Sequence, residues 1–180
     1  MQALGIIETN SIAVGIAAGD AMLKTAQVDL ISAQAVCAGK YIVIIKGDVA
    51  AVKSSIEKGK TVASSSLVND ICIANLHADV YMALCAATQD IRGNAIGIIE
   101  TFSIATCVRL SDTIVKTADI TLIEIRLGRG LGGKSFVIYS GDVSAVGSAT
   151  SAAKNGENND LILNAVVIPS IHKDMLDALK

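Results

Sequence analysis

The feature that most constrains the fold is an internal repeat. The block GIIETNSIA, which begins at Gly5, returns as GIIETFSIA at Gly97, and a D-x-x-x-K-T-A motif follows each block at the same distance. After two extra residues in the second copy, a G-K pair and a G-D-V motif also recur in the same order. Two copies of about ninety residues are too few for a solenoid. The sequence therefore predicts two tandem domains, residues 1–90 and 91–180, divided near the polar stretch TQDIRGN.

Each copy carries alternating patterns for strands and helices. In the first copy the predicted order is a strand at 3–8, a helix capped by Ser11, strands at 28–36 and 40–46 joined by a short turn, a helix capped by Asp48, a strand at 69–76 and a helix at 78–87. We expect the apolar face of the first helix to include Ile12, Ile16 and Leu23, which recur at helical spacing. The order β-α-β-β-α-β-α predicts an α/β fold of the α+β kind, a split βαβ arrangement of the ferredoxin-like type, present twice.

Composition and charge narrow the class of protein. Apolar residues make up 52% of the 180 residues but aromatic residues only 3%, which predicts a core of Ile, Val, Leu and Ala. The apolar fraction is above that of an average soluble domain, so we expect part of the surface to be buried between chains. A net charge of -2 without a long basic run argues against nucleic-acid binding. Neither a membrane span nor a signal peptide is evident, which predicts a cytoplasmic protein with reduced thiols.

One motif suggests nucleotide binding. GRGLGGKS, at 128–135, fits the pattern G-x-x-x-x-G-K-[ST]. In a P-loop, however, the glycine-rich turn opens a helix whose N-terminal N–H groups hold the phosphates. Here the motif is followed by SFVIYSG, a run typical of a strand, and it stands where the first copy has its hairpin turn. We therefore interpret the motif as a hairpin turn and expect no nucleotide to bind there.

The repeated motifs resemble those of a known family. A G-I-I-E-T start, a D-x-x-x-K-T-A helix end, a G-K hairpin, a G-D-V helix start and an IPSIH segment together resemble the bacterial microcompartment shell domain. Two such domains in tandem are similar to the trimeric, T-type shell proteins, above all those of propanediol-utilisation compartments, which also carry a cysteine in the first hairpin turn and a G-x-G-G-K turn in the second. The sequence departs from this pattern at Ala38, where proline is expected, and at Asn75 and Ser170, where many shell tiles carry arginine.

This resemblance implies a flat homotrimeric tile with six domains, which meets other shell proteins at its edges. A pore on the central axis would be lined by the hairpin turns, because cyclic symmetry brings equivalent residues together there. The implied pore-lining residues are Cys37, Ala38, Gly39, Gly128, Arg129, Gly130, Leu131 and Gly132.

Cys37 is the candidate metal ligand. The resemblance implies that three thiolates, one from each chain, hold an iron–sulfur cluster on the trimer axis, most simply a [4Fe–4S] cluster with one iron left open. The alternative is a small apolar residue at a turn. We expect the other cysteines, Cys72, Cys85 and Cys107, to be buried or incidental.

Four further residues are candidate tile-edge contacts by the same resemblance: Lys24, Lys116, His77 and His172. Each lysine follows an aspartate by four residues, so the alternative for the lysines is a solvated helix pair. The histidines occur singly, which argues against a metal site.

The sequence contains no recognisable set of nucleophile, base and orienting residue, so we expect no enzyme. Two function classes remain open. The first is a structural shell tile with a pore for a redox cluster or small metabolites, and the second is a soluble trimeric binding or electron-carrier module that does not form a shell.

Overall fold

A computed structural model describes residues 3–87, 91–156 and 159–179. The elements of the first copy are strand β1 (Ala3–Thr9), helix α1 (Ile12–Thr25), strands β2 (Asp29–Ala35) and β3 (Tyr41–Gly47), helix α2 (Val49–Ala63), strand β4 (Leu67–Ile73) and helix α3 (Ala78–Leu84). Those of the second copy are β5 (Ala95–Thr101), α4 (Ile104–Thr117), β6 (Ile120–Leu127), β7 (Ser135–Gly141), α5 (Val143–Asn155), β8 (Ile162–Ile168) and α6 (Lys173–Asp177). The predicted order of elements is thus found twice. The predicted boundary after residue 90 falls at residues 88–90, which lie outside the described residues.

Each copy forms one four-stranded sheet. The strand order is β2-β3-β1-β4 in the first copy and β6-β7-β5-β8 in the second. In the first sheet the central strand β1 pairs antiparallel with β3 and with β4, so that Ile6 lies opposite Ile44 on one side and Ile71 on the other. This order is that of a split βαβ fold. The predicted pair of ferredoxin-like domains is confirmed.

The compact units of the chain follow the repeat only in part. The first unit comprises residues 3–76, 103–109 and 127–135, so it includes the start of α4 and the second hairpin turn. The second unit comprises residues 77–102, 110–126 and 136–179, without the undescribed positions.

In the first unit, α1 and α2 pack on one face of the sheet. Helix α1 faces the sheet mainly with its own small residues. Its buried positions are Gly15, Ala18, Gly19 and Met22. A Cβ atom at Gly15 would lie 2.6 Å from Cβ of Tyr41, closer than real carbon atoms approach. The predicted apolar face was wrong, because Ile12, Ile16 and Leu23 are 44%, 54% and 39% exposed. The reason is that the helix approaches the sheet too closely for large side chains on that side.

The second unit has its own aliphatic core, with one buried aromatic residue. Ile96, Ile123 and Ile138 form its centre. Tyr139 is fully buried, and its hydroxyl shares a hydrogen bond with Oγ1 of Thr150 on α5. Among the described residues, no helix is long and apolar enough to cross a membrane.

Candidate functional site at the hairpin turns

The first hairpin turn is a single tight turn between β2 and β3. Residues Cys37–Gly39 form it, and N–H of Val36 donates to the carbonyl of Lys40 at 2.9 Å to close it. Ala38 adopts a left-handed backbone with φ 62°. Proline is fixed near φ −65° and cannot take this conformation. The turn therefore has a physical reason to carry alanine where the resembled family led us to expect proline.

The second hairpin turn carries the P-loop-like motif. Four of its glycines, Gly128, Gly130, Gly132 and Gly133, have positive φ, a backbone that other residues rarely adopt. The chain then enters strand β7 at Ser135 and not a helix. The predicted hairpin is confirmed, and the arrangement of strand, turn and helix that a P-loop requires is not present at this turn. The absence of nucleotide binding stays a prediction.

The two turns meet inside the first unit. N–H of Cys37 donates to the carbonyl of Gly128 at 3.2 Å, and N–H of Gly130 donates to Sγ of Cys37 at 3.0 Å. Nζ of Lys40 donates to the carbonyl of Gly133 at 3.2 Å. Thus the two stretches that were predicted to line a pore lie side by side and are joined by backbone and sulfur contacts.

The electrostatics of the turns favour the thiolate form of Cys37. The backbone N–H of Gly130, and after it that of Leu131, lowers the pKa of the Cys37 thiol. Successive N–H groups in a turn that contains left-handed residues form a concave site for negative charge. The side chain is partly exposed, so it is open to a ligand. By contrast, burial raises the pKa of the Cys72 thiol.

These residues fit a metal–sulfur site only if several chains contribute. Among the described residues of one chain, no three His, Cys, Asp or Glu side chains come together to hold a metal ion. One chain offers one activated sulfur, with amide donors of the kind that stabilise cluster sulfurs. The sulfur and its amide donors therefore suit a soft metal centre that is bound by several chains together.

A buried carboxylate supports the turns from behind. Glu8 is fully buried, and its Oε1 accepts from Nζ of Lys40 at 2.9 Å. Its Oε2 accepts from Oγ of Ser103 at 2.7 Å and from N–H of Ile104 at 2.9 Å, so it caps the start of α4. The sequence indicated a folding role for Glu8 but not this partner. The feature of the sequence that could have indicated this partner is the pattern of Glu, two residues and Ser, which occurs in both copies.

The two candidate edge lysines each pair with an aspartate on the same helix. Nζ of Lys24 lies 2.6 Å from Oδ2 of Asp20 on an exposed face of α1. Lys116 pairs in the same way with Asp112, at 2.5 Å. These are the helix pairs expected as the alternative to edge contacts, and a role of the two lysines at a tile edge stays a prediction.

The two histidines begin short helices. Nδ1 of His77 accepts from N–H of Asp79, and Nδ1 of His172 accepts from N–H of Asp174, both at 3.3 Å. Each histidine is thus the N-cap of its helix, α3 or α6. Their role at a tile edge also stays a prediction.

The comparisons with known proteins identify the family. The BMC domain matches this chain twice, over residues 3–76 and 95–171. The chain belongs to the BMC domain family. This tandem BMC protein is 39% identical to the bacterial microcompartment shell protein PduT of Citrobacter freundii over 175 residues, which cover 97% of this chain and 95% of the relative.

Two further similarities support the family assignment. The crystal structure of a microcompartments protein from Desulfitobacterium hafniense DCB matches with a TM-score of 0.86 and 50% identity, and 99% of each chain is covered. The shell protein EutM of Escherichia coli K12 is 37% identical over 82 residues, which cover 44% of this chain and 84% of EutM. PduT and EutM are both named as shell proteins of bacterial microcompartments, and the prediction that this BMC protein is structural and not an enzyme agrees with these relatives.

Proposed function

We propose that this chain is a shell tile of a bacterial microcompartment in the cytoplasm, and that its pore carries an iron–sulfur cluster. Two BMC domains over nearly the whole chain and the similarity to PduT support the shell role. The tile is a homotrimer that contacts other shell proteins at its edges. Exposed aliphatic side chains on α1, such as Ile12 and Ile16, support an assembly that buries them.

The cluster site consists of Cys37 from each of three chains. The observation that carries this proposal is the hydrogen bond from N–H of Gly130 to Sγ of Cys37 at 3.0 Å, because it activates the sulfur as a thiolate. The glycine turn that supplies this N–H surrounds the sulfur with backbone donors instead of acidic side chains. A bound cluster supplies one-electron redox chemistry. The residues of this chain hold it, set its hydrogen bonds and line the passage around it.

Anaerobic reconstitution with iron and sulfide tests this proposal. The native protein should take up about four iron atoms per trimer and develop a brown chromophore, as a [4Fe–4S] cluster requires. Cys37→Ser should retain neither. Cys85→Ser is the matched control, because Cys85 is also exposed but lies outside the turns, and it should behave like the native protein. Equal iron uptake by the native protein and Cys37→Ser, or none by the native protein, contradicts the cluster.

A further inference from the structure

The second hairpin turn is attached to the first one at both of its ends. At the start of the turn, N–H of Cys37 donates to the carbonyl of Gly128 at 3.2 Å. At the other end, Nζ of Lys40 donates to the carbonyl of Gly133 at 3.2 Å. Between these two contacts, N–H of Gly130 donates to Sγ of Cys37 at 3.0 Å. The turn thus passes over the sulfur from one attached end to the other.

The middle of this turn contains two glycines that lie in open space. A Cβ atom at Gly130 or at Gly132 would meet nothing within 4 Å. At Gly133, in contrast, a Cβ atom would lie 3.1 Å from Cβ of Ala38 and 3.3 Å from the carbonyl oxygen of Cys37. The end of the turn therefore packs against the first turn. The direction of the Gly130 N–H depends on how the two ends are held.

A further contact of the second turn lies at the surface. Nη2 of Arg129 donates to Oε1 of Gln34, and this hydrogen bond is exposed to solvent. An exposed hydrogen bond adds little to stability, because water can replace either partner. The side chain of Lys40 is only 16% exposed. Among the side chains that contact this turn, Lys40 is therefore the one placed to hold it.

Lys40 is itself fixed by a buried carboxylate. Oε1 of Glu8 accepts from Nζ of Lys40 at 2.9 Å, and the side chain of Glu8 is fully buried. The other oxygen of Glu8 is held by Oγ of Ser103 and by N–H of Ile104. An ammonium group has three N–H donors, so it can bind Glu8 and the carbonyl of Gly133 together. Lys40 thus connects a fixed carboxylate of the core with the end of the second turn.

We propose that Lys40 is a positioning residue of the cluster site: it holds the second turn at Gly133 and thereby keeps N–H of Gly130 directed at Sγ of Cys37. The inference rests on the cluster proposed above and adds a residue that tunes it. An amide donor at a ligating sulfur stabilises the negative charge that reduction adds to a cluster. Lys40 therefore raises the reduction potential through the backbone of the second turn.

Amide hydrogen exchange tests this role in the reduced protein before any cluster is introduced. In NMR spectra of protein labelled only at glycine, Lys40→Met should accelerate exchange at Gly130 by about tenfold, the factor that corresponds to one lost hydrogen bond. The amide of Gly59, inside helix α2 of the same unit, is the internal reference. A general loss of stability would accelerate exchange at both glycines, whereas a positioning role affects Gly130 alone.

Three further variants complete this experiment. Lys40→Arg should keep the native rate, because a guanidinium can donate to both partners. Lys60→Met is the matched control, since Lys60 also pairs with carboxylates in the first unit, those of Glu57 and Asp70, but lies outside the turns. The double variant Lys40→Met with Glu8→Gln leaves no unpaired buried charge, so it keeps the test valid if Lys40→Met alone does not fold. It should show the same acceleration at Gly130.

The reconstituted protein gives a second readout. The double variant removes one charge of each sign, so its net charge is that of the native protein. Its cluster should nevertheless have a lower reduction potential in an electrochemical titration, while Lys60→Met should match the native protein. Exchange at Gly130 that does not change relative to Gly59, or an unchanged potential, overturns the role of Lys40. If the native protein takes up no iron, the cluster is wrong, and the exchange rates alone decide whether Lys40 holds the turn.

Discussion

At the scale of single residues, the backbone of a distant turn sets the chemistry of Cys37. The sulfur accepts from N–H of Gly130, a residue ninety-three positions away in the chain. No acidic or basic side chain is needed for this effect, because amide dipoles alone favour the thiolate. The chemistry of the first turn therefore depends on the conformation of the second.

The pH dependence of alkylation should reveal this lowered pKa. Because the folded-state pKa of Cys37 lies below that of an ordinary thiol, its thiolate forms at lower pH. Iodoacetamide modification of Cys37 should therefore reach half its plateau rate at a lower pH in the folded chain than in the unfolded chain. Cys72, whose pKa is raised by burial, should shift in the opposite direction.

Site-resolved mass spectrometry across the pH range gives both curves. The same cysteines in the urea-unfolded chain are the reference. A Cys37 midpoint that does not change on unfolding would show that the amide donors have no effect on the thiol.

The sequence could predict the position of Cys37 but not its surroundings. Its place in a turn follows from flanking strand patterns, which are local. The contact with Gly130 joins two turns that are far apart in the chain, and no periodicity reports it. The conformation of Ala38 was also beyond prediction, since alanine has no intrinsic preference for positive φ.

At the scale of elements, a glycine in one strand makes room for a large side chain of the neighbouring strand. A Cβ atom at Gly97 in β5 would lie 2.2 Å from the ring of Tyr139. The equivalent of Tyr139 in the first copy is Ile45, which is smaller. The second copy thus holds one large buried ring, and Gly97 provides the space for it.

Gly97→Ala should destabilise the protein by about 1–3 kcal/mol, the usual cost of overpacking a filled core. Gly147→Ala is the control, because this glycine lies inside helix α5 and its Cβ would meet nothing within 4 Å. That change should stabilise the helix by up to about 1 kcal/mol. Urea unfolding followed by circular dichroism measures both. If Gly97→Ala is as stable as the native protein, the ring of Tyr139 has room to move and the core around Gly97 is not filled.

Helix α1 shows how sequence periodicity can lead to a wrong prediction. The order of strands and helices was predicted for both copies, because alternation and caps are local patterns. The face of α1 that packs on the sheet was not predicted, because the large side chains Ile12 and Ile16 gave the stronger hydrophobic signal. The face that packs on the sheet carries Gly15, Ala18 and Gly19, and small residues contribute little to such a pattern. A hydrophobic stripe therefore does not say whether it faces the core of its own chain or another chain.

At the scale of the whole molecule, the proposed tile predicts lateral assembly. Concentrated protein should form sheets or tubes in negative-stain electron microscopy, because a tile meets its neighbours through its edges. Replacing both Lys24 and Lys116 with Ala should reduce these assemblies if the lysines lie at tile edges, while the trimer persists in light scattering. Dispersed trimers in the native protein at every concentration would favour the soluble carrier module instead.

The first unit is built from segments that are far apart in the chain, and this affects how it folds during synthesis. The unit needs residues 127–135, so it cannot be completed when its first 76 residues leave the ribosome. At a synthesis rate of about 5–20 residues per second, the 59 residues from Leu76 to Ser135 take about 3–12 s. In the first part of this interval, until Ser103 and Ile104 emerge, Glu8 lacks the helix start that it caps, and the nascent first copy must hold its strands together without that contact.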